Sequence, residues 1–322
     1  MRMRVAQWFA VLSLILAHTA AAQPWPAKPI RLIVTFPTGG TSDIVARLVG
    51  ERLGARLGQP VIIDNRPGVA GILGTEVAVS ASADGYTLLL TSIAPIAFAP
   101  STPMPLSYDP LKQLVHVAII GTIPLAFVVR LDLPAKNVRE VAALAKDRPD
   151  ALNFSSSGNA TPSHFMLERF KLSAGVRITH VPYKGSAPAL NDIMAGRIDG
   201  TIDSMPAVLA QIRGAKVRAL AVSGSERAPQ LPDAPTLAEA GFPDLVVNTW
   251  FGLAAPAATP GEIVQRLNQE VLAIVQSPDV RARLEELSFA PAPMSAAETQ
   301  RFIRDEIERW RPVVQAAGIS FQ

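Results

Sequence analysis

The sequence predicts an α/β protein of two successive lobes, followed by a helical tail that packs back on the first lobe. Three observations carry this. Short apolar, β-branched runs alternate with segments whose apolar residues recur at helical spacing, the pattern of parallel β-α-β units. The alternation runs on over two stretches, each of ordinary domain size. From Pro260 onward the chain reads as helices alone, with no strands of their own to cover. At 322 residues, 49% hydrophobic and 18% charged, the chain has enough apolar material for two cores. A tail that returns to the first lobe makes the chain cross between lobes twice.

The elements follow in order. Ile30–Phe36 is a strand, Pro37–Gly40 a glycine turn, and Ile44, Val45, Leu48, Val49, Leu53 and Leu57 mark a helix. Pro60–Ile63 is a second strand that ends in the turn Asn65–Gly68. A helix over Gly71–Ala81 and a strand over Tyr86–Thr91 complete this region. Val115–Ile120 and Leu125–Val129 are two further apolar runs, and Val138–Ala145 is a helix. Leu152–Phe154 is a strand that runs into Ser155–His164. Thr161 before Pro162 is an N-cap with proline at the first helical position, which starts a helix running to about Ala174. Val176–Val181, Ile198–Ile202 and Val217–Val222 are strands. Ala187–Ala195 and Pro206–Ile212 are helices between them. Pro229–Pro235 is a proline-rich loop and Leu245–Ala254 is extended. Pro260–Gln276, Pro278–Leu287 and Ala296–Ala316 are amphipathic helices, the last bent near Pro312.

The first 22 residues read as a signal peptide. Arg2 and Arg4 precede the apolar stretch Val5–Ala17, and Ala20-Ala21-Ala22 supplies the small residues of a cleavage site before Gln23. Cleavage there implies a secreted protein and lowers its formal charge from +3 to +1, too little for a nucleic-acid-binding face. No later run reaches the length of a membrane span. The chain has no cysteine, which excludes disulfides, thiolate metal sites and a thiol nucleophile.

Catalytic motifs are missing: there is no Gly-x-Ser-x-Gly elbow, His-Glu-x-x-His, Walker A loop or dinucleotide fingerprint. His116, His164 and His180 are not at metal-ligand spacing, so neither metal nor cofactor is expected. Two loops stand out instead. Pro37–Asp43 and Ser155–Thr161 each lie between a strand and a helix, and each combines hydroxyls with glycine. Glycine lets the backbone approach a ligand, and the first N–H groups of the following helix have no internal partners, so each loop is suited to an anion. The donors expected there are the backbone groups of Gly39–Thr41 and Gly158–Ala160. Asp43 reads as a cap or loop-orienting residue, since a carboxylate repels an anion. Ser92 ends a strand and is either a turn residue or a pocket hydroxyl. His164 lies in the first turn of its helix and either faces the pocket or the surface. Tyr183 and Lys184 lie at a strand end, where open α/β sheets place ligands. Asp199 and Asp203 share one face of a strand. Trp250 and Phe251 read as core. The candidate ligand-binding set is Thr38, Gly39, Gly40, Thr41 and Ser92 from the first region. From the second it is Ser156, Ser157, Gly158, Asn159, Ala160, Thr161, His164, Tyr183 and Asp203.

Several longer segments are familiar together: Trp25–Asp43 (WPAKPIRLIVTFPTGGTSD), Asn65–Glu76 (NRPGVAGILGTE), Ala83–Leu89 (ADGYTLL), SSSGNATPSH at Ser155–His164, His180–Leu190 (HVPYKGSAPAL), Ala234–Gly241 (APTLAEAG) and Pro256–Asn268 (PAATPGEIVQRLN). The chain resembles the Bug receptors, the TctC-like periplasmic proteins of tripartite tricarboxylate transporters, over its whole mature length. The resemblance implies a two-lobed periplasmic-binding-protein type II fold with two interlobe crossings. The lobes would comprise residues 23–123 with 225–322, and residues 124–224. It also implies a monomeric, non-enzymatic receptor that captures a small carboxylate and delivers it to membrane transporter subunits, with the ligand held by backbone N–H groups, hydroxyls and water from the two loops. A carboxylate sensor and a secreted α/β hydrolase are the alternatives. The sequence departs from the family pattern at Thr38, Ala160 and Gln113. The segment Ser92–Ala99 is more apolar than usual, and it is expected to bear on the pocket lining.

Overall fold

A computed structural model describes residues 25–317. The expected signal peptide and cleavage site lie outside the described residues. The first region contains β1 (Ile30–Val34), α1 (Thr41–Leu57), β2 (Val61–Asn65), α2 (Ile72–Val79) and β3 (Thr87–Ser92). β1 pairs in parallel with β2 on one side and β3 on the other. Its apolar side chains are buried on both faces, and half-buried Arg31 pairs with Asp64 of β2.

The two apolar runs expected at Val115–Ile120 and Leu125–Val129 are one strand, β4, spanning Leu114–Val129. Gly121 and Pro124 do not interrupt it, and its register shifts are taken up within the ladder. The strand changes partner midway. Leu114–Pro124 pairs antiparallel with β9 (Asn248–Pro256), and β10 (Ala290–Pro291) joins at Gly121–Thr122. Leu125–Val129 pairs antiparallel with β7 (Gly200–Ser204) and β8 (Arg218–Val222). Next to β7 come β5 (Asn153–Ser156) and β6 (Thr179–Pro182), both parallel. The last is shorter than expected because Val176 and Ile178 are buried ahead of the ladder rather than in it. The helices are α3 (Val138–Asp147), α4 (Pro162–Ala174), α5 (Ser186–Met194) and α6 (Met205–Arg213).

The strand order β2-β1-β3-β9-β4-β7-β5-β6 therefore passes from one half of the molecule to the other inside β4. The chain returns between Val222 and Asn248. Ser223, fully buried, ties the two passages together. Its N–H donates to Leu125 O at 2.8 Å and its Oγ accepts from Leu125 N at 2.8 Å. The same hydroxyl donates to Val247 O, and Ser223 O accepts from Val247 N at 2.8 Å.

The tail forms α7 (Gly261–Gln276), α8 (Pro278–Glu286) and α9 (Ala296–Ala317). Helices α7 and α8 share one core with β1, α1 and β3. The last helix, which continues through Pro312, reaches further. Trp310 meets Phe98 edge-on at 5.1 Å and Phe165 of α4 at 5.5 Å, so α9 packs against both halves. The same contacts explain the apolar segment after Ser92. Ile96, Ala97 and Phe98 are core beneath α9, and of Ser92–Ala99 only Ser92 reaches the cavity described below.

Candidate functional site

Four helices start at one cavity. Gly40, Thr41 and Ser42 open α1, and Thr161, Pro162 and Ser163 open α4. Gly185, Ser186 and Ala187 open α5, and Ser204 is the N-cap residue of α6. The first N–H groups of each helix have no intrahelical partner, and each N-terminus carries roughly half a positive charge. Four of them around one space make a strongly anion-attracting site without any arginine. Phe36, Pro37 and Thr38 after β1, Ser92 at the end of β3, Leu125 of β4, Ser157, Lys184, Pro188, Asp203 of β7, and Thr249 and Phe251 of β9 complete the wall. The cavity holds about 80 Å³. One water needs roughly 10–15 Å³, so the space suits a small molecule.

Local sequence explains the first loop. Gly39 has φ +80°, a left-handed conformation that other residues adopt at a cost. Asp43 then folds back. Its Oδ2 accepts from Gly39 N at 3.1 Å and from Arg47 Nε at 2.9 Å. Burial raises the Asp43 pKa, but the Arg47 and Gly39 hydrogen bonds outweigh it and hold the group below the usual carboxylate range. Asp43 thus orients the loop. Gly40, by contrast, has φ −84°, and a Cβ there would lie 3.6 Å from Pro37 O, an ordinary contact. Its value is the room it leaves at the cavity, not its backbone freedom.

The second loop is held differently. Thr161 caps α4, accepting from His164 N at 3.4 Å while its hydroxyl donates to Gly158 O at 2.8 Å. Below it, the His164 and His180 rings stack, 3.8 Å apart and nearly parallel. His164 Nδ1 accepts from Ala160 N at 3.0 Å, and His180 Nε2 lies 2.7 Å from Ser156 Oγ. Burial lowers the His180 pKa to about 4, and the adjacent His164 adds to this. Burial raises the Glu168 pKa, but hydrogen bonds from His164 and Lys171 outweigh it and bring the group down to about 2. Among the described residues His164, Glu168 and His180 are the one trio with potential metal-ligand atoms within 4.8 Å of one another. Their outer contacts suit a buttress better than a metal centre. A metal-bound histidine normally donates its second N–H outward, whereas His164 Nδ1 receives a backbone N–H, which leaves the ring proton on Nε2.

Of the candidate residues, Thr38, Gly40, Thr41, Ser92, Ser157, Thr161 and Asp203 line the cavity. Gly39, Ser156, Gly158, Asn159, Ala160, His164 and Tyr183 are not in its wall. Several of the backbone donors expected to hold an anion already have partners: Gly39 N–H goes to Asp43, Gly158 N–H to Ser156 Oγ at 3.3 Å, and Ala160 N–H to His164. Tyr183 donates its hydroxyl to Asp192 at 2.6 Å, and burial together with that carboxylate pushes its pKa up to about 12. Two side-chain hydroxyls at the cavity are unpartnered. Ser92 Oγ and Ser163 Oγ are buried at the cavity with no hydrogen bond among the described residues.

The sequence reading missed Ser163, Gly185–Pro188 and Ser204. Gly185-Ser186-Ala187-Pro188 repeats the glycine, hydroxyl and early-proline signal used to find α4, so it was there to be read. Thr249 and Phe251 had no local signal, since only the pairing of β9 brings them to the wall. Trp250 between them is core, and its neighbour Phe251 serves both core and cavity. Gly185, at φ +108°, faces Pro37, and a Cβ there would make ordinary contact with its ring at 3.5 Å. Thr41 Oγ1 and Ser204 Oγ meet at 2.7 Å. These two contacts join the loop after β1 to the elements around β7 across the cavity.

A sequence model of the family "Tripartite tricarboxylate transporter family receptor" matches residues 45–319. The chain belongs to this family. Protein BugT of Bordetella pertussis is 37% identical over 322 residues, which span 98% of this chain and 99% of BugT. Among solved structures, R. palustris Rpa4515 with adipate superposes with TM-score 0.88 at 37% identity, covering 92% of this receptor and 99% of that chain. MatC from Rhodopseudomonas palustris with bound malate gives 0.85 at 32% identity, covering 90% and 100%. The receptor thus has the two-lobed fold of the Bug and TctC proteins, as the sequence predicts.

Proposed function

We propose that this receptor captures a small carboxylate in the cavity between its lobes and delivers it to the membrane subunits of a tripartite tricarboxylate-type transporter. The observation that carries this is the convergence of four helix N-termini on one space, together with the buried, unpartnered hydroxyls of Ser92 and Ser163. Such a wall offers N–H and O–H donors and a positive potential, which is what a carboxylate needs. The adipate and malate in related structures support the reading. We assign the lobes to residues 23–123 with 225–322, and to residues 124–224. The change of partner within β4 and the Ser223 junction support these boundaries. Thr38, Gly40, Thr41 and Ser92 face the ligand from one lobe, and Ser157, Thr161 and Asp203 from the other. Residues such as Gly39, Ala160 and His164 act by shaping the loops.

In this reading the receptor is a periplasmic monomer, exported by residues 1–22, and performs no chemistry on its ligand. A ligand that binds only the folded state raises the melting temperature by mass action. A thermal-shift screen against a library of aliphatic and aromatic carboxylates should give at least one clear stabilisation. The same screen with matched uncharged amides should give none. Stabilisation by the amides alone would overturn the anion reading.

A further inference from the structure

Asp43, Asp203, Glu270 and Glu306 are the buried carboxylates among the described residues. Three of them have a cation. Asp43 pairs with Arg47, Glu270 with Arg56 and Arg266, and Glu306 with Arg309. Asp203 is the exception, and it is the one that lies in the cavity wall. Its Oδ1 accepts from Ser204 N at 2.7 Å, and a hydrogen bond from Ser186 adds to this. No Lys, Arg or His pairs with it among the described residues. Burial raises its pKa, and only these neutral donors oppose that. An ionised carboxylate out of water with neutral partners alone is costly, and a cation or a further donor would offset the cost. Lys184, the other charged side chain of the wall, is exposed at its rim.

Resting on the carboxylate reading above, we propose that Asp203 makes this receptor selective for carboxylates that carry a hydrogen-bond donor, a hydroxyl or an ammonium group, close to the carboxylate. The helix N-termini take the anionic end of such a ligand. Asp203, at the end of β7, accepts from the donor. An unsubstituted acid of the same length fills the anion site but leaves Asp203 uncompensated, and its own second carboxylate, if it has one, is repelled.

The test uses the purified full-length receptor and titration calorimetry on matched triples that differ only at one carbon. These are propionate, lactate and alanine; succinate, malate and aspartate; and glutarate, 2-hydroxyglutarate and glutamate. A fourth set is phenylacetate, mandelate and phenylglycine. In the set that binds best, the hydroxy or amino member should bind at least about tenfold more tightly than the plain acid, the effect of one charge-assisted hydrogen bond. Asp203→Asn should shrink that ratio to below about threefold. The two donor types separate because the neutral amide weakens an ammonium partner more than a hydroxyl partner. If the plain acid binds as tightly as its substituted analogues, or the ratio survives Asp203→Asn, the inference is wrong while the carboxylate reading stands. If no member of any set binds, the carboxylate reading fails and takes this inference with it. The wild-type ratio decides the matter even if Asp203→Asn does not fold.

Discussion

The loops that open α1 and α4 do the same job with opposite supports. Each brings a helix N-terminus to the cavity through a short turn with residues at positive φ, Gly39 in the first and Gly158 and Ala160 in the second. The loop before α1 is fixed by a carboxylate, Asp43, which a guanidinium and a backbone N–H hold ionised. The loop before α4 is fixed by two stacked, largely buried imidazoles that accept or share protons with Ala160 and Ser156. The first support is an ion pair that holds its carboxylate charged, and in the second burial favours the neutral form of His180. The first loop uses Gly39 at its left-handed position. The second uses Ala160 at φ +56°. One anion-site design thus has a half held by an ion pair and a half held by imidazoles and strained at Ala160, and that contrast can be tested.

The largest effect is expected from removing the first support. Asp43→Ala leaves the Gly39 N–H without its partner and Arg47 without its counter-charge. Stability should fall by about 1–3 kcal/mol, the cost of an unsatisfied buried donor plus a lost ion pair, and affinity should fall about tenfold or more. Denaturant melts and calorimetry on one preparation measure both. Full affinity in a folded Asp43→Ala protein would show that the first loop needs no such strut.

Acid should act on the second loop and spare the first. His180 has a folded pKa of about 4 against roughly 6.5 in the unfolded chain. The unfolded state therefore takes up a proton as pH falls through 6.5, and the folded state does not until about 4. Stability is full above about 6.5 and drains away as pH falls through that window. His116 is a control. Burial lowers its pKa to about 4 too, but it sits away from both loops, with Nε2 3.0 Å from Pro110 O. For fully buried His116 a shift of that size costs about 2 kcal/mol at pH 5, and for half-buried His180 solvent screening makes the cost smaller. Melting curves from pH 8 to 5 should flatten in both His116→Gln and His180→Gln. Only His180→Gln should also alter the pH dependence of ligand affinity. Equal effects of the two variants on affinity would remove the contrast between the loops.

What could be read in the sequence follows the same division between local and non-local information. Both loops were found from glycine, hydroxyl and proline signals, because a helix start is written in the residues that form it. The three-strand first region and the tail helices were legible from periodicity for the same reason. The continuity of β4 was not. A strand that changes partners has no mark at the change, and Gly121 and Pro124 read as an interruption. Which backbone donors are still unpartnered was also hidden, since it depends on where Asp43 and His164 turn their side chains. The reach of α9 to Phe165 and the placing of Thr249 at the cavity depend on contacts between residues far apart in the chain. No local pattern encodes those.

The strain in the second loop gives a smaller effect of opposite sign. Ala160 pays for its left-handed backbone roughly 1 kcal/mol, and glycine frees it at some cost in unfolded-chain entropy. Ala160→Gly should therefore stabilise the protein by about 0.5–1 kcal/mol, seen as a raised denaturation midpoint with unchanged slope. Gly39→Ala, the mirror substitution in the first loop, should destabilise by a similar amount, although a Cβ there would touch nothing within 4 Å. Matching signs in the two variants would mean that backbone conformation is not what distinguishes the loops.

The smallest effect should come from Lys184. It lines the rim beside Gly185 but is exposed, and it pairs with no carboxylate among the described residues. A solvated ammonium at the edge of a site is screened by water and salt, so its contribution to equilibrium binding is typically below about 1 kcal/mol. What it can do is draw an anion toward the entrance, which is an effect on rate. Lys184→Met should therefore weaken binding by no more than about threefold at moderate salt. The loss should lie mainly in the association rate and shrink further as salt is raised. Stopped-flow binding at two ionic strengths separates these terms. A loss of a hundredfold or more, carried by faster dissociation and persisting in high salt, would mean that the ligand's charge rests on Lys184. The four helix N-termini would then be secondary, and the comparison between the two loops would no longer describe how this receptor holds its anion.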